Sequence, residues 1–459
     1  MIPVVTPDEM RAIDAAASVP VDVLIERAGA AVARAAIDML GGSYGRRVVV
    51  IAGSGNNGAD GRVAARRLEA LGVRVRVIDA LQCPPTLPSV DLVIDAAFGT
   101  GFRGNWHAPD AGSTPVLAVD LPSGLDPWGR SGNRVLRADR TVTFAALKPA
   151  LLFADGAASA GRIEIADIGL TAGSVVGAYG VHLVEEADVS EWLPHRRVDA
   201  HKWNAAVRVV AGSRDMPGAA ALASAAALRT GAGLVQVSSP DVDRASDLPV
   251  ESLHRQLVGI SWADEALNGL DRFHALVLGP GLGRADHTAA NTRTLAVHAQ
   301  LPVVIDGDGL FALAWNAEGA ARLLRQRDAP TILTPHDGEH QVLTGALPGP
   351  DRITAARRLA ADTRSIVLLK GPTTVVADPE GEVLLVRAGD ERLATAGTGD
   401  VLAGIIGALL ARRVTPLRAA AMGAYLHGLA TGLGPREGLL AGDLPALIPV
   451  ALAALRRTA

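Results

Sequence analysis

The sequence predicts an α/β protein of two domains, the first of which is a doubly wound parallel sheet. Three observations support this prediction. The chain has 459 residues, which is too long for one ordinary domain. Short apolar segments typical of buried strands alternate with helical segments in both halves. The alternation loosens after Gly169 and starts again at Val207, so we place the domains at residues 1–185 and 190–459.

The N-terminal half begins with a helix and continues as alternating strands and helices. Apolar residues recur at helical spacing from Val21 to Leu40, and RRVVVIAG then has the composition of a buried strand. A glycine turn, a helix from Gly61 to Ala70 and a strand from Val73 to Asp79 complete a βαβ unit. Further strands are predicted at VDLVIDAAF, PVLAVDLPSG and RTVTFAAL. In this Rossmann-like arrangement, ligands bind at the carboxyl ends of the strands.

The C-terminal half follows the same principle with unrelated sequences. Strands are predicted at VRVVAGS, GLVQVSS, ALVLGPG, PVVIDGDG, TILTPHDGE and SIVLLKG, with alanine-rich helices between them. We find no internal repeat that relates the two halves. The sequence therefore predicts two different α/β domains joined in one chain.

Composition limits the ligands and locations that are compatible with the chain. The formal net charge of −4 provides no general attraction for nucleic acid or an anionic membrane, so we expect small-molecule ligands. The first residues lack the features of a secretory signal, and no apolar stretch is long enough for a transmembrane helix. The single cysteine, Cys83, fits a reducing compartment. We expect a cytoplasmic homo-oligomer that binds neither nucleic acid nor membrane.

The turn GSGNNG, Gly53 to Gly58, matches the G-x-G-x-x-G pattern of dinucleotide-binding sites. Its backbone N–H groups suit a phosphate, and Asp79 stands where a dehydrogenase has its ribose-binding carboxylate. The same turn carries Asn56, Asn57 and Asp60, whereas the dinucleotide pattern requires only small residues there. These polar side chains predict additional ligand contacts.

Oxygen-bearing side chains also follow the neighbouring strands. Asp95, Asp120 and Ser123, together with Asn57, form an oxygen-only set suited to a hard cation of low charge. Each aspartate alone is equally well explained as a helix cap or a loop residue. The four residues together favour a functional site.

Four motifs, GNNGADG, DAAFGTGFRG, AVDLPSGLD and TFAALKPAL, make residues 1–170 resemble the epimerase domain of the NAD(P)H-hydrate repair enzymes. The resemblance implies interconversion of the R and S forms of a nicotinamide cofactor hydrated at carbon 6. It implies that Asp120 contacts the hydrated ring, where we expect acid/base work from it, and that Asn57, Asp95 and Ser123 hold K⁺. The family usually has glycine at Ala59, and a methyl group is tolerated there unless the backbone needs positive φ. The implied substrate contacts are Asn56, Asn57, Gly58, Ala59, Asp60, Gly99, Thr100, Gly101, Phe102, Arg103, Gly104, Asn105 and Asp120.

The segment ATAGTGDVLAGIIGALL, Ala394 to Leu410, combines a glycine turn with a helix that is apolar on nearly every face. Such a helix is buried, so its N-terminus directs free N–H groups into an interior cleft. Asp400 stands at its head, and a carboxylate beside a phosphate-binding turn can remove the proton of a hydroxyl that is being phosphorylated. Simple helix capping is the alternative role for Asp400.

With AGSRDMPGAA, LGPGLG, TPHDGE and LKGPTT, this segment makes residues 200–459 resemble the ribokinase-like NAD(P)H-hydrate dehydratases. That family phosphorylates the carbon 6 hydroxyl of the S hydrate with ADP or ATP, and loss of phosphate restores the cofactor. The resemblance implies that Asp400 is the general base and that N–H groups of Gly397 to Gly399 stabilise the transferred phosphoryl group. Mg²⁺ is required on the nucleotide, and Glu339 is a candidate to position it. The implied hydrate contacts are Ala220, Gly281, Gly283, His336 and Asp400, and the implied nucleotide contacts are Lys370, Gly371, Pro372, Thr373, Thr374 and Gly399.

Departures from the dehydratase pattern occur at three places, one of which is RAGDERLATAGTGD, residues 387–400, where the family has a more glycine-rich lead-in. HKWNAA, residues 201–206, replaces HKGxxG, so Trp203 and Ala206 stand where the family has glycine, and we expect an altered turn near the substrate. IDGDGL, residues 305–310, replaces the usual D-A-D motif. The GTGD and TPHxGE motifs are retained.

The sequence thus predicts a bifunctional enzyme that epimerises hydrated NAD(P)H and dehydrates its S form at the expense of ADP or ATP. It leaves open which nucleotide and which hydrate are preferred. One alternative is a ribokinase-type small-molecule kinase with a nucleotide-sensing N-terminal half. Others are a binding protein without turnover and, on the glycine pattern alone, a dehydrogenase.

Overall fold

The computed structural model describes residues 1–99, 101, 106–132, 134–170, 180–240, 248–314 and 319–458. It divides into two compact units, Ile2–Val181 and His182–Ala459, and Met1 groups with the second. Both units combine helices with a largely parallel sheet, which confirms the predicted fold class.

The first unit contains the predicted βαβ series. Its strands β2 to β7 are parallel and lie in the order β3-β2-β4-β5-β6-β7. Its elements are β1 (Ile2–Val4), α1 (Pro7–Ala15), α2 (Val21–Leu40), β2 (Arg47–Ala52), α3 (Asn56–Ala70), β3 (Arg74–Asp79), β4 (Leu92–Ala96), β5 (Val116–Val119), β6 (Arg140–Phe144), α4 (Ala154–Ser159) and β7 (Arg162–Ala166).

Local sequence explains the boundaries of the first helices. Thr6 accepts a hydrogen bond from the N–H of Glu9, whose carboxylate accepts one from the N–H of Thr6, a capping box that begins α1. Gly41 ends α2 in the left-handed region at φ 64°, where glycine has no side-chain penalty. The central strands β2, β4 and β5 are buried on both faces, as expected for a parallel sheet covered by helices.

The second unit follows the same alternation and is larger. Its elements are β8 (Val181–Leu183), α5 (Glu186–Trp192), β9 (Ala206–Val210), α6 (Pro217–Arg229), β10 (Leu234–Pro240), β11 (Leu253–Leu257), α7 (Ala263–Leu267), β12 (Ala275–Leu278), α8 (Asp286–His298), β13 (Val303–Ile305), α9 (Asp308–Ala314), α10 (Gly319–Leu324), β14 (Thr331–Leu333), α11 (Asp337–Thr344), α12 (Arg352–Thr363), β15 (Ile366–Leu369), β16 (Thr374–Ala377), β17 (Val383–Val386), α13 (Thr398–Ala411), α14 (Pro416–Leu433) and α15 (Leu444–Thr458).

Strands β9 to β17 of this unit lie in the order β17-β16-β15-β14-β13-β12-β9-β10-β11. The strands from β11 to β15 in this order are parallel, so their carboxyl ends share one edge of the sheet. Strands β16 and β17 extend the sheet in antiparallel fashion.

Helix α13 is central to the core of the second unit. It is buried along nearly its whole length and packs closely against α6, as its apolar sequence predicted. Glycine makes that contact possible, because a Cβ on Gly404 would lie 2.1 Å from the backbone oxygen of Ala223. Within the described ranges, no helix combines the length and the apolar character needed to cross a bilayer.

Candidate active sites

Two glycines of the GSGNNG turn are required by close backbone packing. A Cβ on Gly53 would lie 1.9 Å from the carbonyl oxygen of Ala97, and one on Gly58 would lie 1.9 Å from the carbonyl oxygen of Gly53. Gly55 faces open space instead. The turn therefore brings the N-terminus of α3 against the end of β4 and leaves Gly55 free to face a ligand.

A cavity of about 650 Å³ opens at the carboxyl ends of the strands in the first unit. Predicted residues that line it are Asn56, Asn57, Asp60, Gly99, Gly101 and Asp120. Gly58 packs against Gly53 instead, and Ala59 borders a neighbouring groove with Arg62 and Arg66. Ala59 lies within α3, so its methyl group meets no positive-φ constraint. The predicted contacts Thr100, Phe102, Arg103, Gly104 and Asn105 lie outside the described residues.

A buried lysine holds Asp120 in this cavity. Lys148 is 4% exposed, and its Nζ donates to Asp120 Oδ1 at 2.5 Å, to Thr143 Oγ1 at 2.7 Å and to the Phe144 carbonyl oxygen at 2.9 Å. Thr143 Oγ1 also donates to Asp120 Oδ1 at 3.0 Å. The Asp120 backbone is in the left-handed region at φ 64°, which is unfavourable for a residue other than glycine and is typical of functional sites.

Two further carboxyl groups, those of Asp60 and Asp14, line the cavity, and burial raises the pKa of both. Burial and the nearby Asp120 carboxylate raise the pKa of Asp60 to about 8. Burial also raises the pKa of Asp14, although the Lys148 ammonium opposes this effect. With its raised pKa, the Asp60 carboxyl group can donate a proton near neutral pH, whereas Asp120 is ion-paired with Lys148.

Two of the predicted cation ligands, Asp95 and Ser123, contact each other, and the third, Asn57, lines the cavity. Asp95 is fully buried, accepts hydrogen bonds from Ser123 Oγ at 2.6 Å and from the Ser123 N–H at 2.8 Å, and has no ion-pair partner among the described residues. Both polar atoms of the Asn57 amide are buried without a hydrogen-bond partner in the described part of the chain. An uncompensated carboxylate and an unsatisfied amide oxygen are the donors that a K⁺ ion would satisfy, so these residues fit the ion.

Asp400 occupies the head of α13 in the second unit. Gly397 begins the helix in the left-handed region at φ 90°, and Asp400 lies in the first turn. Burial, and then the nearby Asp306 carboxylate, raise the pKa of Asp400 to about 7. A carboxyl group with this pKa can accept a proton near neutral pH.

Lys370 contacts carboxylates that follow neighbouring strands, close to the N-terminus of α13. Its Nζ donates to Asp306 Oδ1 at 2.7 Å and lies 3.8 Å from Glu339 Oε2, and Asp306 Oδ1 also accepts from Thr334 Oγ1 at 2.7 Å. Burial disfavours the Lys370 ammonium, but the two carboxylates outweigh burial and raise its pKa. A Cβ on Gly399 would lie 3.3 Å from Lys370 Nζ, so the helix N-terminus and the lysine face the same space.

The remaining predicted residues of the second unit surround this point. Gly371, Pro372 and Thr373 form the turn after β15, and Thr374 begins β16. Lys370 N–H donates to the Pro335 carbonyl oxygen at 2.9 Å, which brings this turn beside the TPHDGE segment.

The hydrate contacts predicted in the second unit differ in exposure. Ala220 is buried near the start of α6, and Gly281 has a left-handed backbone at φ 60°. The Gly283 N–H donates to Asp308 Oδ2 at 2.9 Å. His336 caps α11 by accepting the N–H of Gly338 at 3.0 Å, while its side chain remains 58% exposed and open to a ligand.

The structure corrects one expectation about the HKWNAA segment. Lys202–Ala205 form a short helical turn immediately before β9 begins at Ala206. Asp400 and Lys370 lie at the carboxyl ends of the strands, so Trp203 and Ala206 are at the opposite edge of the sheet. The turn that they form is therefore not close to Asp400 and Lys370.

Sequence reasoning did not assign three residues that the structure places in the two sites. Lys148 and Thr143 stand within TFAALKPAL, and Asp306 stands within IDGDGL. A lysine inside an otherwise apolar segment was the available signal for Lys148, because a buried ammonium needs an acidic partner.

The two units define a chain in which a Rossmann-like α/β domain is joined to an α/β domain of the ribokinase-like fold. Residues 207–449 match the family described as NAD(P)H-hydrate dehydratase, and residues 21–87 and 78–150 match the family described as YjeF-related protein N-terminus. One family match therefore lies in each half of the chain.

Full-length relatives show the same arrangement. A bifunctional NAD(P)H-hydrate repair enzyme of Moorella thermoacetica is 34% identical over 98% of this chain and 96% of its own. A Mycobacterium leprae enzyme of the same description is 36% identical over 94% of this chain and 93% of its own. An ADP/ATP-dependent NAD(P)H-hydrate dehydratase from Bacillus subtilis, co-crystallised with ATP/Mg²⁺, is 30% identical and covers 59% of this chain and 97% of its own with a TM-score of 0.52. The chain belongs to the family of bifunctional NAD(P)H-hydrate repair enzymes, as the motifs predicted.

Proposed function

We propose that the first unit interconverts the R and S forms of hydrated NADH or NADPH and that the second unit dehydrates the S form with ADP or ATP. The observation that carries this proposal is the presence of two separate acid/base sites in a chain aligned nearly end to end with bifunctional repair enzymes. One site centres on Asp120 and Lys148, and the other on Asp400.

In the first unit, epimerisation requires the carbon 6 hydroxyl to leave and to return on the opposite face. The leaving oxygen needs a proton, and the returning water must lose one. Asp120 is the proton acceptor that faces the ring, and Lys148 holds it in position through the hydrogen bond they share. The Asp60 carboxyl, whose pKa is raised to about 8, serves as the proton donor. The N-terminus of α3 and the open Gly55 bind the pyrophosphate of the hydrate.

Asn57, Asp95 and Ser123 would hold K⁺ beside this cavity. The ion would supply a fixed positive charge beside the buried Asp95 carboxylate and the anionic parts of the substrate. The unsatisfied Asn57 amide and the unpaired Asp95 support this assignment.

In the second unit, Asp400 removes the proton of the carbon 6 hydroxyl as its oxygen attacks the terminal phosphorus of the nucleotide. The N–H groups of Gly397 to Gly399 stabilise the charge on the transferred phosphoryl group, and Lys370 and the turn through Thr374 bind the nucleotide. Phosphate then departs from carbon 6, and the ring recovers the intact nicotinamide structure. ADP yields AMP, and ATP yields ADP.

Mg²⁺ bound with the nucleotide would neutralise charge on its phosphate oxygens. Glu339 is the carboxylate suited to position it, since it is buried and lies 3.8 Å from Lys370 Nζ. His336, Ala220, Gly281 and Gly283 complete the surroundings of the hydrate.

A recovery assay tests both activities together. The protein is incubated with mixed R and S hydrate, Mg²⁺, K⁺ and either ADP or ATP, and the return of nicotinamide absorbance is followed. We expect complete recovery with the wild-type chain. Asp120→Asn should recover only the S portion rapidly, and Asp400→Asn should recover neither. The proposal would be contradicted if both variants kept both activities, or if the wild type recovered no cofactor.

A further inference from the structure

A second cavity, of about 420 Å³, lies in the larger unit at the opposite edge of the sheet from Asp400. Its lining includes Ala205, Gly233 and His274, which directly precede β9, β10 and β12. Arg412 and Arg413 at the end of α13 also line it. Since α13 has 14 residues, these arginines are separated from the site at its N-terminus by a helix about 20 Å long.

The lining of this cavity is strongly basic. It contains four arginines and three histidines but one carboxylate, Asp199. Both oxygens of Asp199 are already bound by Arg197, whose Nε and Nη2 each donate at 2.8 Å. Arg196, Arg412 and Arg413 have no carboxylate within ion-pair distance in the described part of the chain. The cavity therefore concentrates positive charge that the protein does not neutralise.

Arg412 is both partly buried and close to other positive charges. Its guanidinium is partly buried and donates to the carbonyl oxygens of Thr230 at 2.9 Å and Pro194 at 2.6 Å. Burial, and then repulsion from Arg456 and Arg196, lower its pKa. A guanidinium that is desolvated and surrounded by like charges is stabilised when an anion enters.

One of the three histidines, His274, adds a ring nitrogen with unsatisfied hydrogen-bonding capacity. His274 Nδ1 is buried and has no hydrogen-bond partner among the described residues. Burial and the Arg413 guanidinium lower the pKa of His274. An anion in the cavity would offset the Arg413 charge that acts on this ring.

We propose that this cavity binds a small anion with a pyrophosphate group, either free or as part of a nucleotide. Guanidinium groups bind phosphate oxygens in paired, directional contacts, and several unpaired arginines favour a ligand with more than one negative charge. A volume of 420 Å³ is within the range of small-molecule sites. The site is independent of the proposed catalytic functions, because none of its residues belongs to either active site.

The test measures binding of inorganic pyrophosphate by titration calorimetry without added Mg²⁺. Arg196→Gln/Arg413→Gln removes two exposed guanidinium groups that make no described hydrogen bond. The matched control is Arg358→Gln/Arg364→Gln, which removes the same charge at exposed positions elsewhere. Arg364 also has a left-handed backbone, at φ 51° against 68° for Arg413, so the two double variants are conformationally alike.

We expect the Arg196/Arg413 variant to bind pyrophosphate at least about tenfold more weakly at one class of site. The reason is that each of the two lost charge-assisted contacts should lower the affinity more than about threefold. The control should bind like the wild type, and Lys370→Ala should leave this class of site intact while weakening the nucleotide site. If ADP displaces pyrophosphate from this class of site, the occupant is a nucleotide. If ADP does not displace it, the occupant is a free anion. Equal binding by wild type and the Arg196/Arg413 variant would overturn the proposal. If that variant does not fold, Arg196→Gln alone decides the question, because Arg196 is exposed.

Discussion

Lys148 Nζ lies 2.5 Å from Asp120 Oδ1, and this buried pair joins the end of β5 to the segment after β6. The ammonium uses all three of its donors, on Asp120, Thr143 and Phe144, so it fixes the carboxylate on which the proposed epimerisation depends. The pair is therefore the most informative target in the first unit.

Lys148→Met should slow epimerisation by about 100-fold, the typical contribution of one positioned acid/base group. The rate of interconversion between R and S hydrate is measured directly by chromatography. Dehydration of pure S hydrate by the same variant is the internal control and should be unchanged. A variant that epimerises at the wild-type rate would show that Lys148 has only a structural role.

Dehydration should depend on the ionisation of Asp400. The pKa of this carboxyl is raised to about 7, so the proton-accepting form predominates above that pH and is lost below it. We expect kcat/KM for S hydrate to fall about tenfold per pH unit well below pH 7. The pH profile of Glu391→Gln, which removes a carboxylate outside the proposed site, should be superimposable on that of the wild type. A flat profile between pH 5 and pH 8 would contradict this role.

Asp400→Asn should abolish dehydration and at the same time stabilise the protein. The carboxyl pKa is about 7 in the folded chain against 3.8 as the ordinary value, so the folded state binds its proton more tightly than the unfolded state. Stability therefore falls as pH rises from about 4 to 7, and the full penalty is present above pH 7. Removing the charge should increase the free energy of unfolding by about 2 kcal/mol at pH 8 and by less at pH 5. Urea unfolding at both pH values measures the difference, and a loss of stability at pH 8 would be inconsistent with a strained buried carboxylate.

The proposed potassium site predicts a change in ion dependence. Ser123→Ala removes one proposed ligand and should raise the K⁺ concentration that gives half-maximal epimerisation by about tenfold. Asp120→Asn, by contrast, should lower the maximal rate without moving this K⁺ midpoint. An unchanged K⁺ midpoint in Ser123→Ala would exclude this residue from the ion site.

The glycine turn offers a matched pair of stability variants. Gly58→Ala would place a methyl group 1.9 Å from the Gly53 carbonyl oxygen and should destabilise the first unit by about 3 kcal/mol. Gly55→Ala faces open space and should change stability by less than about 0.5 kcal/mol. Thermal unfolding of both variants distinguishes packing from conformational freedom, and equal destabilisation would mean that packing at Gly58 is not responsible.

Much of the fold and the family could be predicted from local patterns. The helix Val21–Leu40 was predicted with its observed bounds, because its apolar spacing and terminal glycine are local signals. The helix after the glycine turn was predicted to begin at Gly61 but begins at Asn56. Its first residues, Asn56 to Asp60, do not show the apolar spacing by which a helix is predicted. The motif-based family prediction was confirmed by the relatives. The assigned roles of individual residues, the oligomeric state and the cytoplasmic location stay predictions.

The sequence by itself determined the two α/β domains, the glycine turns and the carboxylates Asp120 and Asp400, because periodicity and short motifs are properties of adjacent residues. Only the tertiary structure decided which charges meet. Lys148 reaches Asp120 across 28 positions, and Lys370 reaches Asp306 across 64, because parallel strands bring their carboxyl ends together whatever their separation in the chain. The same geometry separates HKWNAA from the active site and gathers Arg196, Arg412 and Arg413 at the opposite edge, where no local pattern predicted a common cavity.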